Sequence, residues 1–210
     1  MNYISQHEIE KYIDRHFGGK RGGYFLEVGA WDGEHISQTA WLERERGWAG
    51  LCVDPFPRNF EGRSCKVCAA AISADGKPRE FVKVSIDRRD GGDVSYLSGF
   101  LDSIQVHWSL IEAHCDYVIF KIDTLTMGEL CKRYYLPNHI DFLSVDTEGS
   151  ELEIFQSLDL KRYSFGMIVF EHNGDKERRR AIGDILVGAG YRRVEDSPSY
   201  DDIFVSREIV

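Results

Sequence analysis

The ten residues YFLEVGAWDG, Tyr24 to Gly33, constrain the fold more than any other part of the chain. An apolar run carries an acid, Glu27, near its end and passes into a turn bracketed by Gly29 and Gly33, which holds a second acid, Asp32. One helix later a second apolar run, GLCVD, also ends in an acid, Asp54. Strand, glycine turn, helix and a second strand closing on a carboxylate describe a pocket for a nucleoside-like ligand at the carboxyl edge of an α/β sheet. Glycine lets the backbone approach a ligand, and the helix that follows offers free amide groups. A pyrophosphate would favour a GxGxxG turn with few anions. GAWDG places two carboxylates there instead, which suits a cationic ligand with an amino group and ribose hydroxyls. Asp54, about 20 residues beyond the turn, has the position of a ribose-hydroxyl acceptor.

The rest of the chain supplies the frame. A helix opens at Ser5, with Ser5 and Glu8 as a capping box and Ile9, Tyr12, Ile13 and Phe17 as its apolar face. Strands are expected over Tyr24 to Val28, Gly50 to Val53 and Cys65 to Ala70. A helix over Glu34 to Arg46, with Ile36, Ala40 and Leu42 inward, joins the first two. That alternation favours a parallel sheet with right-handed crossovers. Regularity breaks over about 74–137, where strand-like runs at Phe81 to Ile86 and Tyr117 to Ile122 flank a glycine-rich stretch. This reads as an insertion between the third and fourth core strands, forming a hairpin and a lid on the substrate side. Thr126 and Glu129 cap a helix near its end. The frame resumes with strands at Asp141 to Val145 and Gly166 to Phe170. Helices follow from Ser150, boxed with Glu153, to Leu158 and from Asp175 to Val187. Tyr191 to Val194 and Asp202 to Ser206 are joined too closely for a crossover helix, so that pair must be antiparallel. The whole reads as one domain over 1–210.

Composition narrows the function classes. Hydrophobic content of 42% and aromatic content of 12% belong to a folded globule. A net charge of −9 speaks against general nucleic-acid binding, and the KERRR run at Lys176 to Arg180 reads as a solvated helix face. No apolar stretch approaches the roughly 20 residues of a membrane span, and the first residues do not read as a secretory signal. The abrupt start suits a domain of a longer protein. Cys65 and Cys68 form a CxxC in a strand, where that spacing sends the side chains to opposite faces rather than to one zinc. Reduced thiols of a cytoplasmic protein are the plainer reading.

Two further clusters fall on the same rim. Asp146, Thr147, Glu148 and Gly149 follow the fourth strand, and Glu171, His172 and Asn173 follow the fifth. Asp146, Glu148 and His172 are the candidates for catalysis, because a histidine beside carboxylates serves as a general base near neutral pH. Asp146, Glu171 and His172 could equally hold Mg²⁺ or Mn²⁺.

YFLEVGAWDG, GLCVDPFPRNFE, IDFLSVDTEGSELEIF and IVFEHN together resemble the FkbM-type S-adenosylmethionine (SAM) dependent methyltransferases. The resemblance runs from Ser5 through Arg192, and DFLSVDTEGSELEIF is its most specific part. It implies the Rossmann-like class I methyltransferase fold: a seven-stranded, mostly parallel sheet with an antiparallel last strand and helices on both faces. It also implies O-methylation of sugar or polyketide hydroxyls. By position, Glu27, Gly29 and Asp32 would surround SAM, Asp54 would hold its ribose and Asp146 would lie near the transferred methyl group. Thr39 and Gln6 would line the pocket, although SQT and SQHEIEK depart from the family's patterns there. Ile72, closing the CKVCAAAI run, is placed with them. Tyr96, Phe100, Trp108 and Tyr117 in the insertion are candidates to stack on sugar rings. An NAD-dependent oxidoreductase and a binding module that has lost catalysis remain the competing classes.

Overall fold

In a computed structural model the described residues are 4, 5 and 7–207. Along the chain α1 (Ile9–Phe17) precedes β1 (Tyr24–Val28), α2 (Ala40–Arg46), β2 (Ala49–Asp54), β3 (Lys66–Ala69) and the short β4 (Ala71–Ile72). The insertion contributes β5 (Arg79–Asp87), β6 (Gly99–Phe100), α3 (Gln105–His114), β7 (Cys115–Ile122) and β8 (Thr124–Leu125). The frame then continues with α4 (Met127–Tyr134), β9 (His139–Val145), α5 (Glu151–Ser157), β10 (Ser164–Glu171), α6 (Lys176–Gly188), β11 (Tyr191–Arg193) and β12 (Asp201–Ser206).

Seven strands form one sheet in the order β11-β12-β10-β9-β1-β2-β3. β3, β2, β1, β9 and β10 are mutually parallel, and β12 runs antiparallel to both of its neighbours. This is the expected Rossmann-like methyltransferase architecture. The chain leaves β1 toward β2 and β3, then returns to β1's other side as β9, so the strand order reverses between β1 and β9. Ligands bind in the crevice beyond the carboxyl ends of strands at such a switch point. Alternate side chains feed two cores. Leu26, Leu51, Leu143 and Phe170 pack with residues of α4, α5 and α6 on one face, and Phe25, Cys52, Phe142 and Val169 pack with those of α1 and α2 on the other.

At the switch point β1 and β9 touch through their main chains. Gly29 has φ +87°, and a Cβ built there would lie 1.5 Å from the Asp146 carbonyl oxygen. The Asp146 N–H donates to Val28 O at 2.9 Å, and the Gly29 N–H to Val53 O at 2.8 Å. No other residue can stand at 29 without parting these turns.

Local capping follows the sequence at one helix and departs from it at two. The Thr126–Glu129 box is formed as expected. Glu8 instead occupies a left-handed position at the start of α1, Ser5 Oγ accepts the Ile9 N–H, and the buried Glu10 takes the N–H groups of Ile4 and Ser5. At α5 the Ser150–Glu153 box is absent. Glu153 pairs with Arg79 of β5 at 2.5 Å, and Ser150 donates to Thr147. The adjacent acid, Glu151, is fully buried and accepts from the N–H groups of Thr147 and Gly149, the Thr147 hydroxyl and Arg178. It holds the turn after β9 in place. The KERRR run is therefore not simply a solvated face, since Arg178 binds Glu151 and Arg179 grips the buried Asp202 through two nitrogens.

The first crossover helix is shorter than expected. It begins at Ala40, and Ile36 is 40% exposed with φ +55°. The cause is Glu27, whose carboxylate takes the Gln38 N–H and the Ser37 and Thr39 hydroxyls and so pulls 37–39 out of helical geometry. Cys65 and Cys68 fall in the two separate cores, as their spacing requires, and all five cysteines are free thiols.

The insertion is a three-stranded antiparallel sheet, β6-β5-β7, with α3 packed on one face around Val82, Val84, Ile104 and Ile111. Its base is pinched by the parallel β4–β8 pair and by a 2.6 Å contact between the Ser73 and Thr124 hydroxyls. α4 belongs to the frame, because Met127, Leu130 and Cys131 lie in its core. The departure from the frame thus closes at β8 rather than at 137.

Two substitutions test this construction. Gly29→Ala should destabilise the fold by at least about 2 kcal/mol, a melting shift of roughly 4–8 °C downward. Glu151→Ala, which strands Arg178 and two N–H groups, should lower the melting temperature by about 6 °C or more. Melting within about 1 °C of wild type in either variant contradicts the role given to that residue.

Candidate active site

One cavity of about 840 Å³ opens at the switch point. That is near the upper end of the roughly 300–1,000 Å³ usual for small-molecule sites, with room for a cofactor and part of an acceptor. The ends of β1, β2, β9 and β10 form its floor and one wall, and the insertion forms the other.

The acids of the first motif divide by function. Glu27 reaches the cavity wall, but its oxygens are spent on the 37–39 segment. Asp32 does not line the cavity. It is buried and caps its own turn, accepting from the N–H groups of Glu34 and His35 and pairing with the His35 ring at 2.6 Å. The expectation that Asp32 surrounds the cofactor is corrected on that ground. Thr39 is likewise fully buried, with its hydroxyl on Glu27, and stands behind the wall rather than in it. Gly29, Asp54 and Ile72 all line the cavity. Gln6 lies outside the described residues.

Asp54 is held ready for a ligand. One oxygen accepts the Trp31 N–H at 2.9 Å and the other the Phe56 N–H at 2.7 Å, which fixes the carboxylate at the end of β2. Burial pushes its pKa up to about 6, against the pull of those two N–H groups and of Arg58. Trp31 continues from there to the insertion. Its indole N–H donates to Ser95 at 2.8 Å, its ring meets Tyr96 edge-on, and the Arg58 guanidinium lies over it.

Across the cleft, oxygens of Asp146, Glu148 and Glu171 lie within 4.8 Å of one another. Crowding of like charges disfavours full ionisation. Burial, then Glu171 and Glu148, hold the Asp146 carboxyl well above the usual carboxylate range. Burial, then Glu148, pushes Glu171 up to about 8. Asn173, in a left-handed conformation, ties the group together by donating to Glu171 at 2.6 Å and to Glu148 at 3.3 Å. His107, from α3, approaches Glu148 to 3.0 Å.

His172 does not join this cluster. It is 1% exposed, lies outside the cavity lining and accepts the Gly174 N–H at its Nδ1. Burial and nearby Arg179 hold its pKa below the usual value. The expected catalytic histidine and the expected metal set of Asp146, Glu171 and His172 are therefore not assembled. Adjacent residues at a strand end face opposite sides, so when Glu171 enters the cleft His172 leaves it. Three other histidines line the cavity, His7, His35 and His107, and His107, which meets the acidic cluster, comes from the irregular insertion, where no periodicity announces it. Of the four candidate aromatics, Tyr96 and Phe100 line the cavity, whereas Trp108 and Tyr117 pack on each other with ring centres 5.6 Å apart.

This donor set fits a cationic nucleoside. Carboxylates from three strand ends face the cavity, and the buried Gln38 Oε1, also in its wall, has no hydrogen-bond partner among the described residues. An unpaired buried acceptor is unfavourable until a donor such as an amino group reaches it.

The comparisons agree with this picture. A family profile described as the Methyltransferase FkbM domain matches residues 27–201. No curated protein matches the chain significantly. Among solved structures it is similar to precorrin-6y C5,15-methyltransferase from Geobacter metallireducens, at 12% identity over 99% of this chain and 92% of that one, with a TM-score of 0.46. It is also similar to a mutant of MtNAS, at 13% identity over 95% of this chain and 59% of that one, with a TM-score of 0.36. Both likenesses are too distant to carry an argument, and the strand order alone carries the fold. The family match spans most of the chain and ends where the last strand begins, so this protein belongs to the FkbM methyltransferase family and is a SAM-dependent methyltransferase.

Proposed function

We propose that the methyl group goes to a hydroxyl oxygen, and that the hydroxyl belongs to a sugar or glycan. The observation that carries this reading is the pairing of an acidic rim with the exposed aromatic ring of Tyr96 in a single cavity. Aromatic faces suit the apolar faces of sugar rings, and the polar rim suits their hydroxyls. A sugar hydroxyl is a weak acid, so its attack needs a proton acceptor beside it, and the rim supplies titratable groups.

SAM supplies a methyl group already activated by its sulfonium charge. The protein's residues bind, orient and exclude water. Asp54 accepts from the ribose hydroxyls, and Gly29 lets the backbone come close. The Gln38 amide oxygen accepts from the amino group. Asp146 and Glu171 face the positive charge. Alignment of acceptor oxygen and methyl group in a closed cavity provides most of the acceleration.

The charges make a pH-dependent prediction. Without a ligand, Glu171 holds its proton below about pH 8. A cation beside it favours the ionised form, so binding below that pH releases a proton. SAM affinity should therefore rise with pH, up to about tenfold per unit, and level off near pH 8. S-adenosylhomocysteine, which lacks the sulfonium charge, should show a shallower rise. Calorimetry over pH 6 to 9 checks this, and equal slopes for the two ligands would count against it. Glu171→Gln should flatten the SAM profile.

Asp54→Ala should weaken SAM binding about 10–100-fold through loss of hydrogen bonds to a charged acceptor. A dissociation constant within about threefold of wild type in a folded variant would remove Asp54 from the cofactor site.

A further inference from the structure

We infer that His107, oriented by Glu148, is the residue that takes the proton from the attacking hydroxyl. This rests on the O-methyltransferase reading above and names the base for it. His107 lies on α3 of the insertion and lines the same cavity as the Gly29 turn and Asp54. Its buried Nε2 stands 3.0 Å from Glu148 Oε2, an ion-pair contact that is not yet aligned as a hydrogen bond, and no other group among the described residues hydrogen-bonds that nitrogen. A carboxylate at one ring nitrogen fixes the tautomer with the proton on that side and leaves the lone pair of the other nitrogen free to accept.

The support behind this pair is built from both halves of the molecule. Glu148 sits in the turn after β9 with φ +55°, and Asn173 at the end of β10 donates to the same carboxylate oxygen that faces His107. The insertion is seated directly on this turn. A Cβ at Gly149 would lie 2.2 Å from the Ser103 carbonyl oxygen, and one at Gly99 would lie 3.3 Å from Glu148 Cβ. The segment leading into α3 thus cannot drift from the turn that carries Glu148. The half-buried carboxylates are less suited to the task. Asp146 and Glu171 lie side by side and answer to the cationic cofactor, whereas a neutral imidazole can accept a proton without adding to the crowd of negative charge.

The step balances without any further reactant. The hydroxyl oxygen forms its bond to the methyl carbon as the carbon–sulfur bond breaks and its electron pair returns to sulfur. The O–H proton passes to His107 Nδ1, and the imidazolium is neutralised in place by Glu148. The charged groups acting on the ring are Glu148 from the β9–α5 turn and Glu171 from the end of β10, which raise its pKa. Arg178 of α6 opposes them, and Glu148 contributes most. The neutral ring is the active form, so turnover at saturating SAM should climb with pH through a value above the usual 6.5 of histidine and then level off.

The test uses tritium-labelled SAM with methyl glycosides of deoxyhexoses as acceptors. His107→Gln should lower kcat by about 10²–10⁴-fold while the SAM dissociation constant stays within about twofold. Free imidazole should restore part of the rate to His107→Ala. Imidazole NMR on the full chain should show two histidines with raised pKa values, of which His35 persists and the other disappears in His107→Gln and falls in Glu148→Gln. Thermal melts confirm that each variant folds. Wild-type transfer with kcat of His107→Gln within about threefold of it would overturn the dyad and leave the O-methyltransferase reading standing. A His107 pKa unmoved by Glu148→Gln would overturn the orienting role of Glu148. Wild-type enzyme that binds SAM but methylates no hydroxyl would overturn both.

Discussion

Everything at this site depends on the contact between the Gly29 backbone and the Asp146 carbonyl. It joins the two strands whose order reverses, and it leaves no room for a side chain. Because of it, the turn after β1 and the turn after β9 form one continuous rim instead of two separate loops. Asp54 joins that rim from β2 and Glu171 from β10, each set by strand register. The floor of the cavity is therefore set by the sheet, and the insertion completes it. Loops that recognise ligands are commonly mobile; here the frame loops are pinned by buried carboxylates at Glu27 and Glu151.

The acids of this chain divide into two kinds, and the division explains the site. Glu10, Glu27, Asp32 and Glu151 have their oxygens occupied by N–H groups, hydroxyls or cations of their own surroundings. They fix turns. Asp54, Asp146, Glu148 and Glu171 face the cavity with acceptor capacity to spare. Burial and the crowding of carboxylates hold the Asp146 and Glu171 carboxyls above the usual range when no cation is present. A cationic cofactor relieves that repulsion, and a pyrophosphate would intensify it. The same electrostatics suit a cationic cofactor better than a dinucleotide.

Much of the frame was legible in the sequence because its signals are local. Apolar runs ending in acids located four of the five parallel strands, and the short DSPSYD joint dictated an antiparallel partner for the last one. Thr126 and Glu129 were readable because a capping box spans four residues. The failures are equally physical. Ser5–Glu8 and Ser150–Glu153 have the same spacing, yet the buried Glu10 captured the Ser5 N–H, while Arg79 drew Glu153 away and Thr147 took the Ser150 hydroxyl. Which way Asp32 and His172 point is set by tertiary burial. His107 lies far in sequence from Glu148, and their meeting depends on how the insertion docks onto the frame.

The central claim is that the acid-rimmed crevice at the β1/β9 switch point holds SAM. A crystal structure of the chain with S-adenosylhomocysteine tests it most directly. The account requires ribose hydroxyls on Asp54, backbone of the Gly29 turn against the ligand, and the sulfur facing the rim that carries Asp146 and Glu171. A ligand seated elsewhere, or one that leaves Asp54 untouched, would contradict it.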